Sequence, residues 1–225
     1  MNTQIILNNV SKTIKGRRVL DHINLTLDAG KTYCFCGRNG SGKTMLLRAI
    51  AGLIGVEGKI IVFGKDITAD HSFPDNVGLI IEKTEMWPQF TGLENLGLLA
   101  EIRGVITKDD CVRALERVGL DPEDSRLVRT YSLGMKQKLA IAQAIMEKPS
   151  LLLLDEPTNG LDDDAVLRFR KIMEEEKSRG CTILLATHQL EDLNGLVDKT
   201  YRISEGRCRE DSPENSAAIQ EKKPV

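Results

Sequence analysis

One stretch limits what this chain can become more than any other: Gly37-Arg38-Asn39-Gly40-Ser41-Gly42-Lys43-Thr44, which fits G-x-x-x-x-G-K-[ST]. An apolar run, Thr32-Tyr33-Cys34-Phe35-Cys36, precedes it, and a helix-period stretch, Met45-Leu46-Leu47-Arg48-Ala49-Ile50, follows. Glycines open backbone conformations closed to other residues and let the chain approach a ligand closely. Between a strand and a helix, the N–H groups of such a loop and the helix N-terminus cradle phosphate. Lys43 then reaches the outer phosphates, and the Thr44 hydroxyl is placed to ligate Mg²⁺. The strand–loop–helix context separates this P-loop from a glycine-rich turn that happens to end in Lys-Thr.

The 225 residues suffice for one large domain, or one domain with a sub-domain. A net charge of -2 gives no general pull toward nucleic acid or acidic lipid. The start, Met1-Asn2-Thr3-Gln4, is polar, and Ile5-Ile6-Leu7 is too short for the apolar core of a signal peptide. No apolar stretch approaches the roughly 18 residues that span a bilayer, so a membrane role must come through a partner. Cys34, Cys36, Cys111, Cys181 and Cys208 are odd in number and scattered, which favours a reducing compartment over a disulfide framework. Cys34 and Cys36 are expected to be small core residues beneath the P-loop rather than a redox or metal pair.

In chain order, Ile5-Ile6-Leu7 and Ile23-Asn24-Leu25-Thr26-Leu27 read as strands around the turn-like Lys15-Gly16-Arg17-Arg18. Gly58–Gly64 and Val77–Ile81 read as further strands. From about 82 to 148 the pattern turns helical: Thr91 with Glu94 forms a capping box, and Val112, Leu115 and Val118 follow Asp109-Asp110 at helical spacing up to Gly119. Strand–helix alternation returns with Leu151-Leu152-Leu153-Leu154, a helix from about Asp163 to Ser178 carrying Lys171 and Glu175 at i,i+4, and the strand Thr182–Ala186. The expected fold is α/β: a P-loop NTPase with a mainly parallel sheet, an N-terminal antiparallel β part and an inserted helical sub-domain. It is expected to form a single domain over 1–210, with a loose polar tail over 211–225.

Asp155 and Glu156 end the leucine strand, where a magnesium-directing carboxylate belongs in a P-loop enzyme. Asp155 is assigned to Mg²⁺, through water, and Glu156 to orienting or deprotonating the attacking water. Asp162 caps the next helix, contacts nucleotide, or does both. His188 follows a strand at the edge where α/β enzymes bind ligands, and is placed to contact the γ-phosphate. Ser132 and Gly134, in Tyr131-Ser132-Leu133-Gly134-Met135, open a helix whose N-terminus suits an anion, although helix starts like it are common.

The order of these motifs resembles the nucleotide-binding subunit of ABC transporters, over roughly residues 3 to 207. Gly37–Thr44 looks like the Walker A loop, Leu151–Glu156 like Walker B, Tyr131–Met135 like the Leu-Ser-Gly-Gly-Gln signature, Asn159–Asp162 like the D-loop and His188 like the switch histidine. The resemblance implies ATP and Mg²⁺ as cofactors and a head-to-tail dimer, in which Ser132 and Gly134 cap the γ-phosphate held by a second subunit's Walker A loop. Three motifs depart from the family pattern: in the signature Leu133 and Met135 replace Gly and Gln, Glu82 stands at the Q-loop glutamine, where a carboxylate can still face Mg²⁺, and Ile14 stands where an aromatic residue usually stacks on adenine. Together with Phe90–Leu96, these departures are similar to a bacterial branch of bacitracin, lantibiotic and other peptide exporters.

The implied protein is an ATP hydrolase at the cytoplasmic face of the membrane, powering a transmembrane permease and paired with a second ATP-binding subunit, with no nucleic-acid partner. Glu156, His188 and Lys43 are its expected catalytic residues, Gly37–Thr44, Ser132, Gly134 and Asp162 its nucleotide contacts, and Thr44, Asp155 and Glu82 its metal contacts. Coupling is expected through the helical insert and the 82–88 loop, with Met86, Trp87 and Phe90 as apolar anchors. The competing expectation is a soluble ABC-type ATPase, for example in cofactor assembly.

Overall fold

The computed structural model describes residues 4–69, 72–82, 86–193 and 195–211. Gln4–Ile14 (β1) and Arg17–Asp28 (β2) pair antiparallel. The turn between them is Lys15-Gly16, both with positive φ, as a two-residue hairpin turn requires. Arg17 and Arg18 therefore lie in β2 rather than in the turn. With β4 (Glu57–Val62) and β5 (Lys65–Asp66), they form a four-stranded sheet ordered β2-β1-β4-β5.

The second sheet is ordered β10-β9-β3-β8-β7-β6. Its strands are β3 (Thr32–Cys36), β6 (Val77–Ile80), β7 (Leu151–Asp155), β8 (Thr182–Thr187), β9 (Lys199–Ser204) and β10 (Arg207–Glu210). All neighbours run parallel except β9 and β10. The leucine run of β7 shows why the sheet is so apolar. Leu151 and Leu153 enter a core with Leu46, Leu47 and Ile50 of helix α1 (Lys43–Ile50) and with Ile5, Leu7 and Ile23 of the first sheet. Leu152 and Leu154 enter a second core with the helices of the opposite face. Successive side chains on a strand alternate in direction, so a sheet covered on both faces has no polar positions in its central strands.

Those helices are α2 (Gly92–Arg103), α3 (Lys108–Val118), α4 (Leu133–Ile145) and α5 (Asp163–Ser178). The Thr91–Glu94 capping box of α2 is formed. Helix α3 begins on an equivalent box in which the expected Asp110 answers Thr107, the cap two residues before Asp109, and it ends on Gly119. The local pair expected between Lys171 and Glu175 gives way to a tertiary one. Arg117 of α3 binds Glu175 at 2.9 Å and the buried Glu176 at 2.8 Å, tying α3 to α5.

Strands β5, β9 and β10 lie outside the sequence expectations. In β9 only Tyr201 and Ile203 are buried, too short an alternation to stand out among charged neighbours. Pairing with β3 makes it a strand. Among the described residues no helix is long and apolar enough to cross a membrane.

Candidate functional site

Sheet order creates the site. Strand β8 lies between β3 and β7, and the parallel registers match Cys36 with Thr187 and Asp155 with Ala186. The P-loop leaving β3, the two acids ending β7 and the Thr187-His188 exit of β8 therefore meet at one edge, outside the carboxyl ends of the strands, where open α/β sheets bind ligands. The loop itself needs glycine: Gly42 has φ 117°, and a Cβ there would lie 2.7 Å from the Val19 carbonyl oxygen.

Lys43 is buried, and its Nζ donates to the carbonyl of Gly37 at 2.8 Å. Glu156 Oε1 balances its charge at 3.7 Å. Thr44 Oγ1 donates to Asp155 Oδ2 at 2.6 Å. Burial holds the Asp155 carboxyl above its ordinary pKa, against the opposing hydrogen bond from Thr44; the nearby Glu156 charge pushes it the same way as burial. Asp155 Oδ1 is buried and has no hydrogen-bond partner. An orphaned carboxylate oxygen beside a threonine hydroxyl is a fitting donor set for a hard cation that prefers oxygen. Among the described residues no group of three or more His, Cys, Asp or Glu could hold a metal alone. The Thr44–Asp155 pair suits Mg²⁺, which takes one or two carboxylates and leaves its other positions to waters and substrate phosphates.

Glu156 adopts φ 47°, a left-handed conformation that is uncommon outside glycine and clusters at functional sites. Its N–H donates to the Ala186 carbonyl at 2.8 Å, and its own carbonyl accepts from Asn159 at 3.2 Å. The carboxylate is gripped from β8: Thr187 Oγ1 donates to Oε2 at 3.0 Å, and His188 Nδ1 lies 2.9 Å from Oε1. His188 thus reaches Glu156 directly and is itself half exposed.

The other candidates are spread more widely. Glu82 forms an ion pair with Arg48 at 2.6 Å, one helical turn along α1 from Thr44. Its carboxylate is therefore bonded to a cation of α1. Asp162 caps α5, accepting from Ala165 N at 2.8 Å, which is the helix-cap half of its two expected roles. Ser132 caps α4 by accepting from Met135 N at 3.2 Å. Gly134 packs so closely on the D-loop that a Cβ would lie 2.9 Å from the Gly160 carbonyl, while Leu133 is 67% exposed. Among the described residues no hydrogen bond or ion pair joins 131–135 to the P-loop.

Several supporting residues lie outside the sequence expectations. Thr187 steadies Glu156, Arg48 holds Glu82, and Gln137 of α4 donates to the Pro157 carbonyl at 2.8 Å, linking the signature helix to the segment after Walker B. Asn95, fully buried, bonds both the N–H and the carbonyl of Trp87. Its signal in the sequence was an amide inside an apolar helix face. Cys34 and Cys36 are buried, and burial pushes both thiols up, as core residues would behave.

A family model for ABC transporters matches residues 20–159. The chain belongs to the ABC transporter family.

Within that family it is 46% identical over 200 residues to the ABC transporter ATP-binding protein YybJ of Bacillus subtilis (strain 168), covering 88% of this chain and 92% of that one. It is 38% identical to the bacitracin transport ATP-binding protein BcrA of Bacillus licheniformis, over 95% of this chain and 71% of BcrA. The lantibiotic transport ATP-binding protein SrtF of Streptococcus pyogenes is 34% identical, over 89% of this chain and 87% of SrtF. A solved ATP-binding subunit of an ABC transporter superposes with TM-score 0.83 at 26% identity, covering 97% of this chain and 93% of that one. An ATP-binding cassette in a dimeric post-hydrolysis state with ADP and Pi shares the fold, at TM-score 0.83 and 23% identity over 92% of this chain and 98% of that one. This ABC protein is thus an ATP hydrolase of the cassette type, with relatives that serve bacitracin and lantibiotic transport.

Proposed function

We propose that this ABC ATPase binds Mg·ATP between two copies of itself and drives a separate transmembrane partner, as an exporter subunit at the cytoplasmic face of the membrane. The observation that carries the chemistry is the meeting of Lys43, Thr44, Asp155 and Glu156 at one sheet edge, with the buried Asp155 Oδ1 left unpartnered.

The loop amides of Gly37–Thr44 take the phosphates, and Lys43 exchanges its Gly37 carbonyl for phosphate oxygen. Thr44 and Asp155 are the residues that would hold Mg²⁺, which when bound neutralises charge on the transferred phosphoryl group. Glu156 orients the attacking water and accepts its proton. Thr187 and His188 hold the Glu156 carboxylate in place for that step. Ser132 and Gly134 present the start of α4 to the nucleotide of the second subunit. Asp162 positions the same interface through its cap of α5.

The partner would dock on the helical region. A cavity of about 630 Å³ lies there, lined by Phe90 and Leu93 near the start of α2, Ile106 before α3, and acids that include Glu94 and Glu123. Trp87 beside it is 41% exposed, whereas Met86 packs against the protein's own core. Residues 83–85 of the expected coupling loop lie outside the described residues, as do 212–225 of the expected tail. The names of BcrA and SrtF support transport as the role and peptide-like compounds as the class of cargo.

A detergent pull-down of the tagged chain from native membranes tests the reading. A polytopic membrane protein in the eluate is the expected result. A soluble eluate holding this chain alone or with assembly factors would overturn the transport role.

A further inference from the structure

Two segments leave the sheet side by side at the site: Glu156-Pro157-Thr158 from β7 and His188-Gln189 from β8. They are joined twice. The first join is at the carboxylate, where Thr187 and His188 reach Glu156. The second lies further out: Thr158 Oγ1 donates to Asp192 Oδ2 at 2.7 Å, across 34 positions of the chain. Thr158 is 4% exposed. A hydroxyl donating to a carboxylate makes a strong hydrogen bond, and shelter from water strengthens it.

Both ends of this second join are anchored. Asp192 belongs to a short 3₁₀ turn, Leu190–Leu193, whose Leu193 is buried in the core beneath the helices. Leu196 N donates to the Leu193 carbonyl at 3.0 Å. On the other side, Gln137 of α4 holds the Pro157 carbonyl, and Leu161 N donates to the Thr158 carbonyl at 3.1 Å. Glu156 needs such a frame. Its φ of 47° persists only where the surroundings over-determine it. Main-chain bonds fix its N–H and its carbonyl. The aim of its carboxylate depends on how the two exits lie against each other, because its partners Thr187 and His188 belong to β8 and its exit. Among the described residues, Thr158–Asp192 is the side-chain bond between those exits that does not use Glu156 itself.

With Glu156 read as the base that accepts the proton of the attacking water, we propose that Thr158 and Asp192 are positioning residues for hydrolysis. Together they set the spacing of the β7 and β8 exits, and so the aim of the Glu156 carboxylate. Lys43, Thr44 and Asp155 bond the loop, one another and Glu156, and neither Thr158 nor Asp192. The pair therefore acts on turnover and not on nucleotide binding. Orientation of a reacting group is steep, since a misplacement of about 1 Å can cost about 10²-fold.

The test is hydrolysis of Mg·ATP by the full chain, with ATP affinity read by calorimetry. Thr158→Val keeps the side-chain shape and removes the hydroxyl. It and Asp192→Ala are each expected to lower kcat by about 10- to 100-fold with ATP affinity unchanged, and the double variant should be no slower than either alone. Thr158→Ser, which keeps the hydroxyl, is expected to retain the parental kcat. In a Glu156→Ala background, single-turnover hydrolysis should not slow further when Thr158→Val is added, because the group being aimed is gone. Parental kcat in Thr158→Val, a parallel loss of ATP affinity, or a further loss on top of Glu156→Ala would each overturn the assignment. If Asp192→Ala does not fold, the Thr158→Val and Thr158→Ser pair reads the same bond. Normal turnover in Glu156→Ala alone would instead remove the base, and the positioning role with it.

Discussion

The two regions proposed to face phosphate are built in opposite ways. The P-loop and the ends of β7 and β8 form a closed set: Lys43, Thr44, Asp155, Glu156, Thr187 and His188 bond one another, and Lys43 and Asp155 are buried. The start of α4 is open. Ser132 is exposed and bonds only its own helix, and Leu133 presents an apolar side chain to solvent. The first region is pre-organised within one chain. The second is held in place by the D-loop and by Gln137, yet it faces no ligand group of its own chain. On the function proposed above, a second copy brings the open half of one chain to the closed half of the other.

The sharpest way to probe the closed half is Glu156→Gln. Hydrolysis is expected to fall by about 10²- to 10⁴-fold while ATP binding persists, and gel filtration with ATP should show a trapped dimer. Normal turnover would remove Glu156 as the base. The division between the halves is tested by mixing Lys43→Ala with Ser132→Arg, each expected to be inactive alone. Regained ATPase activity in the mixture would mean that one composite site has been rebuilt, and its absence at every ratio would break the comparison.

A smaller effect is expected from Asp155→Asn. The folded pKa of Asp155 is raised by burial, so the native state binds this proton more tightly than the unfolded chain does. Its contribution to stability is lost as pH rises from the ordinary aspartate range through the raised folded pKa. The asparagine variant can still accept from Thr44 and should melt higher than the parent at neutral pH, with the difference vanishing below that window. A thermal melt across pH reads this directly, and the same variant should lose Mg²⁺-dependent hydrolysis. The smallest effect is that of Asp162→Ala, which removes the α5 cap and should cost about 1 kcal/mol in denaturant unfolding. A larger loss of activity than of stability would show that Asp162 also serves the interface.

Much of this was legible in the sequence because the strongest signals are local. The P-loop pattern, the all-apolar β7 run and the capping boxes are short-range constraints that each segment satisfies largely by itself. Strands β9 and β10 were not legible, since their pairing with β3 and with each other supplies what their composition lacks. The Glu82–Arg48 pair was hidden for the same reason. Glu82 has a role in a Q-loop position by resemblance, but which cation answers it depends on where β6 ends relative to α1. Thr187 carries no motif in the sequence, although its hydroxyl is what reaches Glu156.

The sequence by itself determined the chemical groups and their local frames: a loop that exposes its amides, an acid pair at a strand end, and serine and aspartate caps on α4 and α5. These follow from residue chemistry and backbone preference over a few positions. Only the tertiary structure decided the distances between them. Thr44 and Asp155 stand 111 positions apart in the chain and 2.6 Å apart in space because β8 is inserted between β3 and β7. Strand order in a parallel sheet is set by how helices cover its two faces, a property of the whole chain that no single segment encodes.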